Sequence, residues 1–354
     1  MPQSKAPFSR PVAQPLPLSH EALQANGENN WTIVGDWKLA EAPKVSADGP
    51  QISSSDFNPK DWFAATVPGT VLTTLVDRGV YPDPDYGLNN LAIPESLNKQ
   101  DYWYRAQFKA PDSLRNRRLT LTFQGINYKA AVWLNGESLG TITGAFIRGV
   151  FDVTNILKPG KTNVLAVRIS PPPHPGIPQE QSVKGGPGEN GGIMCLDGPT
   201  FVATEGWDWI PAIRDRDSGI WQPVTLTATA AVKIGDPQVV TTLPLSSTSS
   251  AQVEITVPLE NLSGSPVQAT LNASFEQVSV SKNITVPAGK SEIKLASEEF
   301  PQLTVQNPRL WWPNGYGKQD LYHLKLSVSQ GNTESDVKRL RFGIREITYE
   351  LSLL

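Results

Sequence analysis

The segment GWDWIPAIRDRDSGIW, residues 206–221, interleaves Trp207, Trp209 and Trp221 with Asp208, Arg214, Asp215, Arg216 and Asp217. Aromatic faces stack on the apolar C–H faces of sugar rings, while carboxylates and guanidinium groups hydrogen-bond hydroxyls in fixed directions. A few placed polar groups among aromatic walls make a small-ligand pocket. The same residue types have a plainer use, with tryptophans filling a core and Arg and Asp pairing at the surface. Trp221, beside Ile220 and ahead of Val224, is read that way. Trp207, Asp208 and Trp209 stand at a loop end between Gly206 and Pro211 and are read as the site.

Other constellations carry less chemistry. His20, His174 and His323 are far apart and show no metal-ligand spacing, and His323 falls on the solvent side of a strand pattern. Asp83-Pro84-Asp85 offers oxygen ligands for calcium, although aspartates in such a run more commonly cap a turn. The single cysteine, Cys195, excludes an intrachain disulfide framework and a thiolate metal cage. There is no phosphate-binding glycine loop and no nucleophile elbow. A net charge of −3, with no basic–aromatic stripe, excludes a nucleic-acid partner. Neither a metal nor a cofactor is expected.

The elements that position the segment are strands. Tyr102, Tyr104, Ala106 and Phe108 share one strand face, with Trp103, Arg105 and Gln107 on the other. Leu119, Leu121 and Phe123 alternate with threonines, as do Val224, Leu226 and Ala228, and Leu165, Val167 and Ile169 form another face. Asn135-Gly136 between two strand ends is a strong hairpin signal. One short helix is predicted at residues 70–79, with Val71, Leu72, Leu75 and Val76 on one side and Gly79 as its C-terminal stop. Residues 171–200 hold seven prolines and seven glycines with no hydrophobic period, so the site follows a long loop.

A second set of strands begins after Gly235-Asp236-Pro237. Val253, Ile255 and Val257 open it; Ile284/Val286, Ile293/Leu295 and Tyr322, Leu324, Leu326 and Val328 come next, at the spacing of an immunoglobulin-like sandwich. Leu340, Phe342 and Ile344 form a last strand. The fold class is all-β: a jelly-roll-like, galactose-binding-type sandwich, then an immunoglobulin-like sandwich. The expected organisation is a flexible leader (1–29), the first sandwich (30–231, with the loop at 171–206), the second (232–331), and a closing stretch that holds the last strand (332–354). The Pro- and Ser-rich start lacks an apolar run fit for a signal peptide, no stretch approaches a membrane span, and the compartment stays open.

These blocks carry a resemblance. VPGTVLTTLVDRGVYPDPDYGLN (67–89), YWYRAQF (102–108), LTFQGINYKAAVWLNGESLG (119–140), FDVTNILKPGKTNVLAVRI (151–169), GWDWIPAIRDRDSGIW (206–221) and LWWPNGYGKQDLYHLKLSV (310–328) are similar, in order and spacing, to the N-terminal part of glycoside hydrolase family 2 enzymes. The exo-β-glucosaminidase and β-mannosidase branch is the nearest. RFGIRE (341–346) resembles the lead into that family's catalytic barrel. The resemblance implies a sugar-binding sandwich, an immunoglobulin-like domain, and a (β/α)₈ barrel with two catalytic glutamates. It also implies retaining hydrolysis of β-O-glycosidic bonds, by carboxyl groups about 5–5.5 Å apart. In such enzymes the tryptophan–aspartate segment reaches over the barrel mouth to bound sugar. By position that role falls on Trp207, Asp208 and Trp209, with Arg214, Asp215, Arg216 and Asp217 as further candidates.

A barrel needs roughly 250 residues, and the chain ends ten residues after Ile344. The expectation is therefore that no catalytic residue lies in this chain, that the barrel is missing or separately encoded, and that the two sandwiches alone are inactive. Glu180, Glu189 and Glu205, in or beside the loop, would lack the rigid geometry a retaining pair needs. The expected ligand is a β-linked oligosaccharide or glycoside, glucosaminide or mannoside. Two other readings stay open: a free-standing carbohydrate-binding module, and a ligand-free structural or adhesive sandwich protein.

Overall fold

The computed structural model describes residues 22–176 and 213–351, apart from Glu28, Leu88, Leu245 and Glu350. The chain divides into two compact units that meet between Ala228 and Thr229.

The first unit is a sandwich. Its strands run β1 (Leu23–Ala25), β2 (Asn30–Ile33), β3 (Lys38–Glu41), β4 (Phe63–Ala64), β5 (Gly69–Thr70), β6 (Tyr102–Lys109), β7 (Arg118–Phe123), β8 (Lys129–Leu134), β9 (Glu137–Thr143), β10 (Gly149–Asp152), β11 (Thr162–Ser170), β12 (Gly219–Ile220) and β13 (Val224–Thr229). One sheet has the order β1-β2-β13-β7-β10, the other β4-β3-β6-β11-β8-β9, and β12 pairs with β5 in a small ladder. The non-sequential order makes the crossovers of a jelly roll. Among the described residues two α-helices, α1 (Gly49–Ile52) and α2 (Val71–Asp77), decorate it.

The alternation in the sequence decides what faces inward. Tyr104, Phe108, Leu121, Phe123, Val167 and Ile169 are buried together between the sheets, each side chain stabilising by about 1.5–3 kcal/mol. Trp103 and Arg105, on the opposite face of β6, are buried as well. The stretch around α1 covers them: Arg105 Nε donates to the Ile52 carbonyl at 3.0 Å, and the Trp103 and Trp133 rings lie 5.4 Å apart. Asn135 and Gly136 take φ of 53° and 92° in the two-residue turn between β8 and β9, as a primed hairpin turn demands. Thr70 caps α2, its hydroxyl accepting the Thr73 amide.

The second unit is also a sandwich, of strands β14 (Val232–Ile234), β15 (Gln238–Thr242), β16 (Ser250–Asn261), β17 (Val267–Phe275), β18 (Val278–Val286), β19 (Gly289–Leu295), β20 (Thr304–Gln306), β21 (Tyr322–Gln330) and β22 (Thr333–Phe342). Strand β16 pairs with β14, β15, β19 and β20, and the second sheet has the order β18-β17-β21-β22. This is the two-sheet plan of an immunoglobulin-like domain. Strand β22 extends the second sheet, pairing antiparallel with β21 from Tyr322↔Phe342 onward. Phe342 packs edge-on against Phe275 at 5.2 Å and stacks on Tyr322 at 5.4 Å. Among the described residues both units are sandwiches, and no (β/α)₈ barrel is present. No helix among them is long and apolar enough to cross a membrane.

Candidate functional site

Trp207, Asp208 and Trp209 lie outside the described residues, as do Glu180, Glu189 and Glu205. The described chain resumes at Ile213, so Arg214, Asp215, Arg216 and Asp217 show how the segment is seated.

The seat is a buried knot of charges. Arg214 and Arg216 both reach Glu95, which begins the 3₁₀ helix Glu95–Lys99. Arg214 Nη1 donates to Glu95 Oε1 at 2.9 Å, and Arg216 Nη2 to Glu95 Oε2 at 2.8 Å. Asn98 Nδ2 donates to the same carboxylate and to the Arg214 carbonyl, at 2.9 and 3.0 Å. Arg216 is fully buried, which is tolerable because its donors have partners. Its Nε donates to the Pro175 carbonyl and its Nη1 to that of Ile213, both at 2.7 Å. Burial alone would raise the Glu95 pKa; the hydrogen bonds from Arg216 and Arg214 outweigh it and hold the carboxyl below the usual range.

Asp215 faces the other way and caps α2. Its Oδ2 accepts the Leu72 amide at 2.6 Å, in the first helical turn, where amides lack partners within the helix. Its Oδ1 accepts the Asp217 amide at 3.0 Å. Complete burial pushes the Asp215 pKa up, and the backbone amides of Leu72 and Asp217 work against that. Ser218 accepts the Val71 amide through its carbonyl at 2.8 Å, and Gly219 and Ile220 pair with Thr70 and Gly69. Asn127 closes the arrangement from beneath, donating from Nδ2 to the Arg216 carbonyl at 2.7 Å.

Three of the four candidates at 214–217 are thus interior residues whose polar groups engage protein rather than face outward. Asp217 differs. It is only partly buried, and its pKa is pushed up to about 7, chiefly by burial and then by the charge of Asp215, with Arg216 opposing. A carboxyl poised in that range exchanges its proton near neutral pH. Trp221, read from sequence as core, is only partly buried and lies outside the sandwich core: its Nε1 donates to the Ala145 carbonyl at 3.0 Å, and its ring partner at 5.4 Å is the exposed Phe146.

The remaining sequence candidates resolve into structure. Asp83 accepts the Asp85 amide at 2.9 Å, a turn cap. His323 is exposed on β21. In the second unit Trp312 lies under the Arg345 guanidinium at 4.9 Å, and its amide donates to Lys318 across the Pro313–Gly317 turn. Among the described residues no group of three or more His, Cys, Asp or Glu side chains could hold a metal ion. Sequence reading missed Glu95, Asn98, Asn127 and Pro175. No sequence signal pointed to them, because Asp215 and Asp217 beside the two arginines offer nearer partners on paper.

Comparison with known proteins agrees with this architecture. The family described as glycosyl hydrolase 2 galactose-binding domain-like matches residues 37–222. That described as glycosyl hydrolases family 2 matches residues 232–345. The two matches fall on separate structural units. A mannosylglycoprotein endo-β-mannosidase of Lilium longiflorum is 34% identical, over 88% of this chain and 33% of its own length. An exo-β-D-glucosaminidase of Streptomyces avermitilis is 28% identical, over 91% of this chain and 33% of its own. The exo-chitosanase CsxA of Amycolatopsis orientalis, in complex with PNP-β-D-glucosamine, superposes with a TM-score of 0.73 at 25% identity, covering 92% of this chain and 34% of that one. The chain spans about a third of the length of the curated relatives it matches.

Proposed function

The chain belongs to glycosyl hydrolase family 2, and from that premise we propose that it supplies the substrate-engaging sandwiches of a retaining β-glycosidase. The bond cleaved is a terminal β-O-glycosidic bond of a glucosaminide or mannoside. Relatives named for each sugar match nearly the whole chain. The chemistry belongs to a barrel domain, carried by the same or another polypeptide. There, two carboxyl groups about 5–5.5 Å apart protonate the leaving oxygen and attack the anomeric carbon. This chain's part is binding: Trp207 and Trp209 stack on the sugar, Asp208 accepts from its hydroxyls, and Asp217 lines the approach.

One observation supports this most. The chain from Ile213 onward, four positions after Trp209, is fixed by buried Arg216 and Asp215. Preorganised groups spend less of their binding energy on ordering themselves. The test is turnover of aryl β-glucosaminide and β-mannoside. The two sandwiches alone give none, and adding the barrel domain of a family relative, covalently or in trans, restores it. Robust turnover by the sandwiches alone contradicts the division of labour. Tight sugar binding with no dependence on a barrel would make the chain a free-standing binding module instead.

A further inference from the structure

The outer face of the sheet that holds β6, β8 and β11 carries an aromatic cluster of its own. Period-two alternation turns Trp103, Trp133, Ala166 and Arg168 away from the main core. Cross-strand register sets Arg168 beside Trp103 and Ala166 beside Trp133. Phe57 and Trp62, from the stretch after α1, join the same cluster. Two adjoining clefts open there. One, of about 420 Å³, has Trp103, Trp133, Asp48 and Arg168 in its lining; the other, of about 670 Å³, has Phe57 and Asp56. They share Ser46, Ala47 and Pro50, and both volumes lie within the roughly 300–1,000 Å³ of small-ligand sites. The shared wall is held in place. Asp48 Oδ1 accepts the Gln51 amide and Gln51 Oε1 accepts the Asp48 amide, each at 3.0 Å. Ser53 Oγ donates to the Gly49 carbonyl at 2.8 Å and accepts the Gly136 amide at 3.0 Å. A Cβ on Gly49 would lie 2.2 Å from the Trp133 ring, so the backbone there rests directly on the indole.

The charges lining the clefts favour a cation. Arg168 is matched by Asp101, whose Oδ2 accepts from its Nε at 2.7 Å. Asp48 and Asp56 form no ion pair among the described residues. We propose that these clefts bind an internal stretch of a β-linked glucosamine chain. The C–H faces of its rings lie against Trp133 and Phe57, and its ammonium groups pair with Asp48 and Asp56. The Arg168 Nη nitrogens, which have no acceptor among the described residues, donate to its hydroxyls. None of these residues belongs to the segment 206–221, so the site takes from the functional reading the class of polymer alone. Clefts of this kind hold a short oligosaccharide weakly, whereas a polymer presents many units at high local concentration and is held by avidity.

The experiment measures depletion of the full chain by beads coated with β-linked glucosamine polymer, at low salt and about pH 6, where amine and carboxylates are both charged. Every protein carries Trp207→Ala, which removes the other proposed sugar contact. That background binds the beads. Adding Asp48→Asn with Asp56→Asn, which keeps a capping side chain on α1, weakens binding about tenfold. Ser46→Arg, which puts bulk and positive charge at the shared wall, weakens it at least as much. Asp83→Asn with Asp85→Asn removes the same charge at an exposed turn outside the clefts and leaves binding unchanged. Beads coated with β-linked mannose polymer bind at least about tenfold more weakly, since no ammonium meets the two carboxylates. Three results overturn the proposal: no bead binding in the Trp207→Ala background, undiminished binding in both cleft variants, or equal loss in the Asp83/Asp85 control, which marks attraction to charge in general. Absence of short-oligosaccharide binding by the wild type, with bead binding retained, contradicts the reading of Trp207 and leaves this one standing.

Discussion

Arg216 donates to the Pro175 carbonyl oxygen at 2.7 Å, although 41 positions separate the two residues. Together with Glu95 and Ile213 as its other acceptors, Pro175 lets a fully buried guanidinium persist in the sandwich. The described end of the motif that reads as sugar chemistry is therefore seated by polar contacts from two distant parts of the chain, at Glu95 and Pro175.

The titration of Asp217 sets one pH dependence. Its folded-state pKa is about 7 against an ordinary value of 3.8. The native state then binds this proton more tightly than the unfolded chain does, and stability falls as pH rises from about 4 to about 7 and levels off above. Asp217→Asn holds the site neutral. Denaturant unfolding should show it more stable than wild type by on the order of 1–3 kcal/mol at pH 8, and equal near pH 4. Equal stability at both pH values would show that the carboxyl ionises normally.

Asp336 carries the same sign in the second unit. Burial lifts its pKa to about 6, against the opposing amides of Ile234 and Val337. Asp336→Asn is expected to flatten the pH dependence of second-unit unfolding between about pH 4 and 6. Calorimetry across that range on the isolated second unit checks it; an unchanged slope refutes the assignment.

Close approach of two backbones dictates Gly219. A Cβ there would lie 2.6 Å from both the Gly69 carbonyl oxygen and Thr70 Cα, where β5 and β12 pair beside the start of α2. Gly219→Ala must push the strands apart and is expected to cost about 1–3 kcal/mol. Chemical denaturation measures it, and a loss below about 0.5 kcal/mol, the scale of an ordinary surface substitution, would show that the ladder yields.

Asn135 holds the hairpin by more than its backbone. Its Nδ2 donates to the Ile156 carbonyl at 3.0 Å and to Asn163 at 2.8 Å, and its Oδ1 accepts the Val164 amide at 3.0 Å. Asn135→Ala removes these bonds and places a Cβ-bearing residue without that support at φ 53°. A loss of about 2–3 kcal/mol is expected in thermal unfolding. Asn135→Gly, which keeps the turn and loses the bonds, should recover a part of it; full recovery would mean that the bonds contribute nothing.

Much of the fold was legible because period-two alternation is a local property. Leu121 and Phe123, Val253 and Ile255, and the Asn135-Gly136 turn announce their roles within a few residues. Burial of the second face of β6 was not legible, since Ile52 and Trp133, which cover Arg105 and Trp103, come from other parts of the chain. The site was legible as residue types and not as directions. Alternating Arg and Asp at 214–217 look alike on paper, yet Arg214, Asp215 and Arg216 point inward and Asp217 stays partly open. Glu95 carries no local signal, because its partners lie 119 and 121 positions away.

The most direct test of the central claim is a calorimetric titration of the chain with β-linked glucosamine and mannose oligosaccharides, using wild type and Trp207→Ala. The account predicts weak but saturable binding by the wild type for at least one sugar. It also predicts loss of that binding in Trp207→Ala, with thermal stability unchanged. Absence of binding by the wild type, or equal binding by the variant, would contradict it.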